Sequence, residues 1–315
     1  MINLSSVSVL HLEPTTVCNL HCPQCARYDG VDTNPHLRMG ELSLEDVKRL
    51  VPVSFIRQLS KMFMCGNYGE PAAAQDCLAI FRYFREVNPS ITLGMNTNGS
   101  LRNTEWWAEL AAILNQPYDY VVWSIDGLED TNHVYRKNSV WSKIVGNAAA
   151  FIAAGGSAHW DMLVFEHNKH QVDAAKELAQ SMGFTWFRSK STTRPVPQNV
   201  TWIKKINSEP VKVTSVIECE ALREQSIYLS AHGEWLPCCY IASQTDAVVP
   251  TPTTALFRNN PELRAVDLAV TSGAFTEVAA RWSTDPLSIC KSACSVLDSG
   301  VRRARSKWKT EVQLR

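Results

Sequence analysis

Three thiols within eight residues constrain this chain more than any other feature: Cys18, Cys22 and Cys25, spaced C-x3-C-x2-C. A loop of that length can aim three sulfurs at one inorganic centre but cannot easily supply a fourth. Three thiolates on a four-iron cubane leave one iron open to bind a small molecule directly. Two plainer readings compete. C-x2-C is also a zinc spacing, so the thiols could be three of four zinc ligands. They could also be core cysteines, since free Cys is often buried.

Composition narrows the setting. In 315 residues, 45% are hydrophobic and 20% charged, enough for a sizeable core and against wholesale disorder. Lys+Arg and Asp+Glu number 31 each, so no global charge draws the chain to nucleic acid or an anionic membrane. No run approaches the roughly 18 apolar residues of a membrane span. The opening residues Met1 to Ser6 lack the basic and apolar regions of a signal peptide, which sets a cytoplasmic expectation. In that reducing compartment the ten cysteines point to metal or redox chemistry rather than disulfides.

Periodicity predicts strands at Val7–Glu13, Met62–Cys65, Ile91–Met95, Tyr120–Ile125, Ala158–Phe165 and Thr185–Arg188. Between them it predicts helices from the Ser43 cap to about Leu59, then Ala73–Val87, Thr104–Leu114, Ser142–Ala154 and Val172–Met182, the last closed by Gly183. Strand–helix alternation argues for a parallel α/β sheet with crossover helices. A six-unit partial barrel and a doubly wound open sheet both satisfy it. Either way, the turns after the strands form the expected active-site rim. A Pro-bearing break at Ser191–Pro197 divides residues 1–195 from a cysteine-rich region, 196–315, ending in the basic stretch Arg302 to Lys309.

Those turns carry Tyr68-Gly69-Glu70-Pro71, then Asn96-Thr97-Asn98-Gly99, then Ser124-Ile125-Asp126-Gly127, with Arg136 ten residues on. Each alone is an ordinary turn. With the cysteine triplet, and in this order, they resemble the radical S-adenosylmethionine (SAM) superfamily closely. The resemblance implies a partial (βα)6 TIM-like barrel. It implies a [4Fe-4S] cluster on Cys18, Cys22 and Cys25, and SAM on the open iron. Tyr68, Gly69, Glu70, Asn98, Ser124 and Arg136 would then bind SAM, with the Tyr68–Glu70 turn facing its amino group and Ser124 and Arg136 holding its carboxylate and ribose. Gln24 departs from the aromatic residue that often precedes the third Cys. Asp126 could orient substrate, accept a proton or cap a turn. His167-Asn168 after the fifth strand resembles a further rim motif, although a lone His there is more often a turn or core residue.

Cys219, then Gly233-x4-Cys238, then Cys290-x3-Cys294 form a second set. The spacing resembles the shortened SPASM extension called Twitch, which implies a second, fully ligated iron–sulfur cluster. A structural zinc site is the alternative. Cys239 competes with Cys238, which completes the G-x4-C pattern. Cys65 and Cys77 read as core.

The resemblance implies an enzyme that cleaves SAM to a 5′-deoxyadenosyl radical and abstracts a substrate hydrogen, fed by an electron donor such as flavodoxin or ferredoxin. Oxidative modification of a peptide is the expected outcome. Dehydrogenation of a small-molecule alcohol, redox-neutral epimerisation, RNA modification, and a zinc- or RNA-binding module are the alternatives.

Overall fold

The computed structural model describes residues 3–29, 32–191, 216–245, 256–257, 260–295 and 310–314. The expected break at 191–197 and the basic stretch at 302–309 fall almost wholly outside these residues.

The six expected strands form, at Val9–Leu12 (β1), Lys61–Met64 (β4), Thr92–Thr97 (β5), Tyr120–Ser124 (β6), Ala158–Val164 (β7) and Trp186–Ser191 (β8). A small hairpin, Tyr28–Asp29 (β2) with Asp32–Thr33 (β3), stands apart. Ser226–Leu229 (β9), Trp235–Leu236 (β10) and Thr310–Gln313 (β11) complete the set. One nine-stranded sheet runs β10-β9-β1-β4-β5-β6-β7-β8-β11. From β9 to β8 every pairing is parallel, and only the edge strands β10 and β11 run antiparallel. The C-terminal region thus extends the core sheet, because β9 pairs beside β1.

Burial alternates along β1, β4, β7 and β8, whereas β5 and β6 are buried through their middles. Leu10, Leu12, Met62, Met64, Met95, Val121, Trp123, Trp160 and Met162 are fully buried on the face that packs against the helices. Trp107 of helix Thr104–Ile113 stacks 4.6 Å from Trp123, and Phe184 lies 5.4 Å from Trp160. The opposite face carries His11, Lys61, Phe63, Tyr120, His159, Asp161 and Arg188, all only partly buried. A doubly wound sheet would bury both faces under helices. Helices on one face and a polar, accessible inner face are the architecture of a partial barrel.

The helix expected from the Ser43 cap to Leu59 is instead two, Leu44–Leu50 and Val53–Gln58. Pro52 lacks an N–H and drives its predecessor out of the α region, and Val51 sits at φ −113°, ψ 99°. The capping box is formed as expected: Asp46 N–H donates to Ser43 Oγ and Ser43 N–H to Asp46 Oδ2, both at 3.1 Å. Among the described residues no helix is long and apolar enough to cross a membrane.

Candidate active site

Cys18, Cys22 and Cys25 line one wall of a cavity of about 500 Å3 at the C-terminal ends of the strands. Tyr68, Gly69, Glu70, Asn98, Ser124 and Arg136 line the same cavity. Six turn residues, read separately from the sequence, therefore converge on the three thiols.

The loop geometry follows from hydrogen bonds that few side chains could make. Glu13, fully buried just past β1, accepts the N–H groups of Tyr68 (2.8 Å) and Gly69 (3.2 Å) through Oε1, and the Tyr228 hydroxyl through Oε2. Gly69 lies so close to the cysteine loop that a Cβ would come 1.7 Å from the Thr15 carbonyl oxygen, so only glycine fits. Glu70 is buried. Its carboxylate accepts from Thr97 Oγ1 (2.6 Å) and from the N–H groups of Asn98 (2.7 Å) and Ala72 (3.3 Å). Burial pushes its pKa up, while Thr97 and Asn98 hold it down. Glu70 thus anchors the Asn98 turn as well as facing the cavity. Asn98 Nδ2 donates to Asn19 Oδ1 at 3.0 Å and lies 3.9 Å from Cys18 Sγ.

Asp126 has a place different from the proton-accepting one considered above. It is fully buried and is not among the cavity-lining residues. Oδ2 accepts from Arg136 Nε at 2.7 Å, and Oδ1 from the Leu163 N–H at 2.6 Å. Burial works against the Arg136 charge, but Asp126 and Cys22 more than compensate and raise its pKa. Asp126 therefore positions Arg136. Asn168 is a turn residue: its Oδ1 accepts from Phe165 N–H, and its Nδ2 donates to the Asp126 and Leu163 carbonyls. His167 stacks on Phe165, with ring centroids 5.2 Å apart, away from the cavity.

Sequence reasoning missed the inner wall. Cys65, read as core, lines the cavity just past β4, whereas Cys77 is fully buried as expected. Asp161 is the register partner of Ser124 across β6 and β7, and Arg188 is the partner of Asp161 across β7 and β8. Arg188 Nε and Nη2 meet the two Asp161 oxygens at 2.6 and 2.8 Å. Burial nonetheless raises the Asp161 pKa to about 6. The signal was the alternation His159-x-Asp161 on a strand next to Ser124, which becomes visible only once the register is known.

Burial pushes the Cys18 thiol up to about 12, with Glu70 adding to the effect, and raises Cys25 as well. Among the described residues no three Cys, His, Asp or Glu side chains are arranged to hold a single metal ion.

The second set also converges. Cys219, Cys238, Cys290 and Cys294 all line a smaller apolar cavity of about 30 Å3. The Ile217–Ser295 bridge and the Glu218 N–H to Cys294 carbonyl bond (2.9 Å) draw the two ends of the set together. Burial raises Cys238 well above the usual thiol range and Cys290 to about 11. Of the adjacent pair, Cys238 faces this cavity and Cys239 does not. Cys239 instead lies within electrostatic reach of Cys65.

Comparison with known proteins bears on the fold and the family. GTP 3′,8-cyclase of Syntrophomonas wolfei is 28% identical over 96 residues, which is 30% of this chain and 28% of the cyclase. The fold is similar to that of Streptococcus suis SuiB bound to the precursor peptide SuiA, with TM-score 0.54 and 14% identity over 81% of this chain and 65% of SuiB. It is also similar to anSMEcpe bound to AdoMet and the Kp18Cys peptide, with TM-score 0.56 and 15% identity over 85% and 82% of the two chains. The chain thus spans less than two thirds of both the cyclase and SuiB. The sequence profile of the Radical SAM superfamily matches residues 12–179, more than half of the chain, and the chain belongs to that superfamily.

Proposed function

We propose that the chain is a radical SAM enzyme that modifies a peptide oxidatively, using one cluster at Cys18, Cys22 and Cys25 and a second at Cys219, Cys238, Cys290 and Cys294. The observation that carries this reading is the convergence of the three thiols and six turn residues on one cavity that opens onto the inner face of a partial barrel.

The residues fit the first cluster. They supply three thiols within one loop, with Cys65 on the wall past β4, and an open cavity beside them large enough for a nucleoside-sized molecule. Nearby, the buried Arg27 guanidinium has an Nε with no partner, as expected where an anionic group belongs. When bound, the cluster and SAM supply a 5′-deoxyadenosyl radical that takes a hydrogen atom from the substrate. The chain's own residues do the rest. Arg136, held by Asp126, offers a guanidinium to the SAM carboxylate, and Ser124 offers a hydroxyl beside it. The Gly69 backbone and Glu70 face the ammonium group.

Oxidation removes two hydrogens, and the second leaves as a proton and an electron. We assign the proton to Asp161, the register partner of Ser124 on the inner face of the sheet; it lies outside the residues that line the first cavity, is held by Arg188, and burial raises its pKa to about 6. The four C-terminal thiols would hold a cluster whose chemistry is electron transfer. The small space between them makes its loading the point to measure. An external donor such as flavodoxin or ferredoxin would supply the first electron. A peptide is favoured because SuiB and anSMEcpe, which share the fold, have peptide-bound structures.

Anaerobic reconstitution tests the reading. About eight irons per chain are expected, falling to about four when Cys18, Cys22 and Cys25 are replaced together by Ala. Zinc without iron after reconstitution would sink the proposal. About four irons in the parent, all lost from the triple variant, would leave radical chemistry standing and remove the second cluster and the oxidative step.

A further inference from the structure

Arg27 follows the third thiol by two residues, and it is only 6% exposed. Its backbone N–H donates to Cys25 Sγ. Its Nη1 donates to the Thr16 carbonyl and, at 3.4 Å, to the Tyr68 carbonyl, so it straps the cysteine loop to the Tyr68 turn. The Tyr28 ring lies 5.8 Å from its Cζ. Its contacts are with carbonyls and this ring, and no carboxylate pairs with it among the described residues. Its Nε is closed to solvent and has no partner.

A buried guanidinium without a counter-ion is costly, and it stays charged at any working pH. Two partly buried arginines have carboxylate partners: Arg136 pairs with Asp126 and Arg85 with Asp119. Arg27 instead lies within electrostatic reach of the Cys25 sulfur, with no anion beside it among the described residues. A four-iron cluster on three thiolates carries one net negative charge when oxidised and two when reduced. A fixed cation behind Cys25 stabilises the second charge more than the first.

We infer that Arg27 is the residue that raises the reduction potential of the cluster held by Cys18, Cys22 and Cys25, and so lets a biological donor reduce it. This rests on reading the site as the SAM cluster. The step is a one-electron transfer from donor to cluster.

The test is a potentiometric titration of the reconstituted full-length protein, followed by electron paramagnetic resonance of the cluster signal that changes on adding SAM. Arg27→Gln should make reduction at least tenfold less favourable, 59 mV more negative for one electron. Arg27→Lys keeps the charge but loses the fork to the two carbonyls, and should stay within threefold of the parent. A merely structural residue would leave the potential unmoved in both. A parent with a SAM-responsive signal whose potential is indifferent to Arg27→Gln overturns this inference alone. A parent without such a signal overturns the reading of the site and this inference with it. If Arg27→Gln takes up no iron, thermal unfolding of the metal-free proteins decides. The variant should then melt at or above the parent, since an uncompensated buried charge has gone, and a lower midpoint overturns the inference.

Discussion

Replacing Arg136 by Met separates two tasks that one side chain performs. Its Nε lies 2.7 Å from Asp126 Oδ2, and the two side chains are 18% and 0% exposed. Removing one partner of a buried pair strands the other charge and costs about 3–5 kcal/mol. Asp126 keeps a second anchor, the Leu163 N–H at 2.6 Å, and a hydrogen bond to a charged group is worth about 1.5–3 kcal/mol. The lower end, about 3 kcal/mol, is therefore expected. A typical domain has roughly 5–15 kcal/mol in total, so the metal-free variant should lose a large share. At about 2–4 °C per kcal/mol, its midpoint should fall by roughly 6–12 °C. Adding Asp126→Asn removes the stranded charge while the amide oxygen still accepts from Leu163, so most of the loss should return. SAM binding to the reconstituted protein should behave differently: weak in the single variant and still weak in the double. The reasoning fails if the single variant costs less than about 1 kcal/mol, or if the double variant is no more stable than the single.

Two further outcomes follow from buried titratable groups. Burial, with Lys61 nearby, lowers His11 to about 4, and burial beside Arg188 does the same to His159. The unfolded chain protonates near 6.5 and the folded one does not, so stability present above pH 6.5 is lost as pH falls through about 4, by at most about 3 kcal/mol per histidine. Asp161, raised to about 6, works in the opposite sense, its contribution being lost as pH rises from about 4 through 6. Urea unfolding at pH 7, 5 and 4 should therefore show a shallower acid limb in His11→Gln than in the parent; equal limbs would contradict the burial argument. Separately, Glu70→Gln puts an amide donor among the three donors that Glu70 now accepts from. A loss of about 1–3 kcal/mol and weaker SAM binding are expected. Unchanged calorimetric affinity for SAM would show that the Asn98 turn does not depend on this carboxylate.

The cavity-lining turns were legible because each combines a local signal with chain order. Cys18, Cys22 and Cys25 are close in sequence, and Gly69 stands where any Cβ would strike the Thr15 carbonyl. The strands were legible because their helix-facing side is uniformly apolar. The inner face was not, since its residues are chosen for chemistry and not for burial: His11, Lys61, Tyr120, Asp161 and Arg188 share no period that differs from a solvated strand face. Only the register pairs Ser124 with Asp161 and Asp161 with Arg188. The role of Asp126 stayed open in the sequence for a related reason. A carboxylate in a D-G turn gives no sign of whether it faces a cavity or the Arg136 and Leu163 donors behind it.

The C-terminal region was legible as a set of thiols but not as part of the barrel. Nothing in Ser226–Leu229 announces that it pairs parallel to β1, because a strand records its neighbours nowhere in its own sequence. That pairing has a functional consequence. It brings the Tyr228 hydroxyl onto Glu13, whose other oxygen holds the Tyr68 and Gly69 N–H groups. The Tyr68 hydroxyl in turn donates to the Ser243 carbonyl at 2.8 Å, and Asn67 Nδ2 to the Cys239 carbonyl at 2.9 Å. The turn proposed to receive the SAM ammonium is thus clamped from both ends by residues that flank Cys238. These bonds, some fully and some partly buried, tie the segment around Cys238 to the wall of the first cavity.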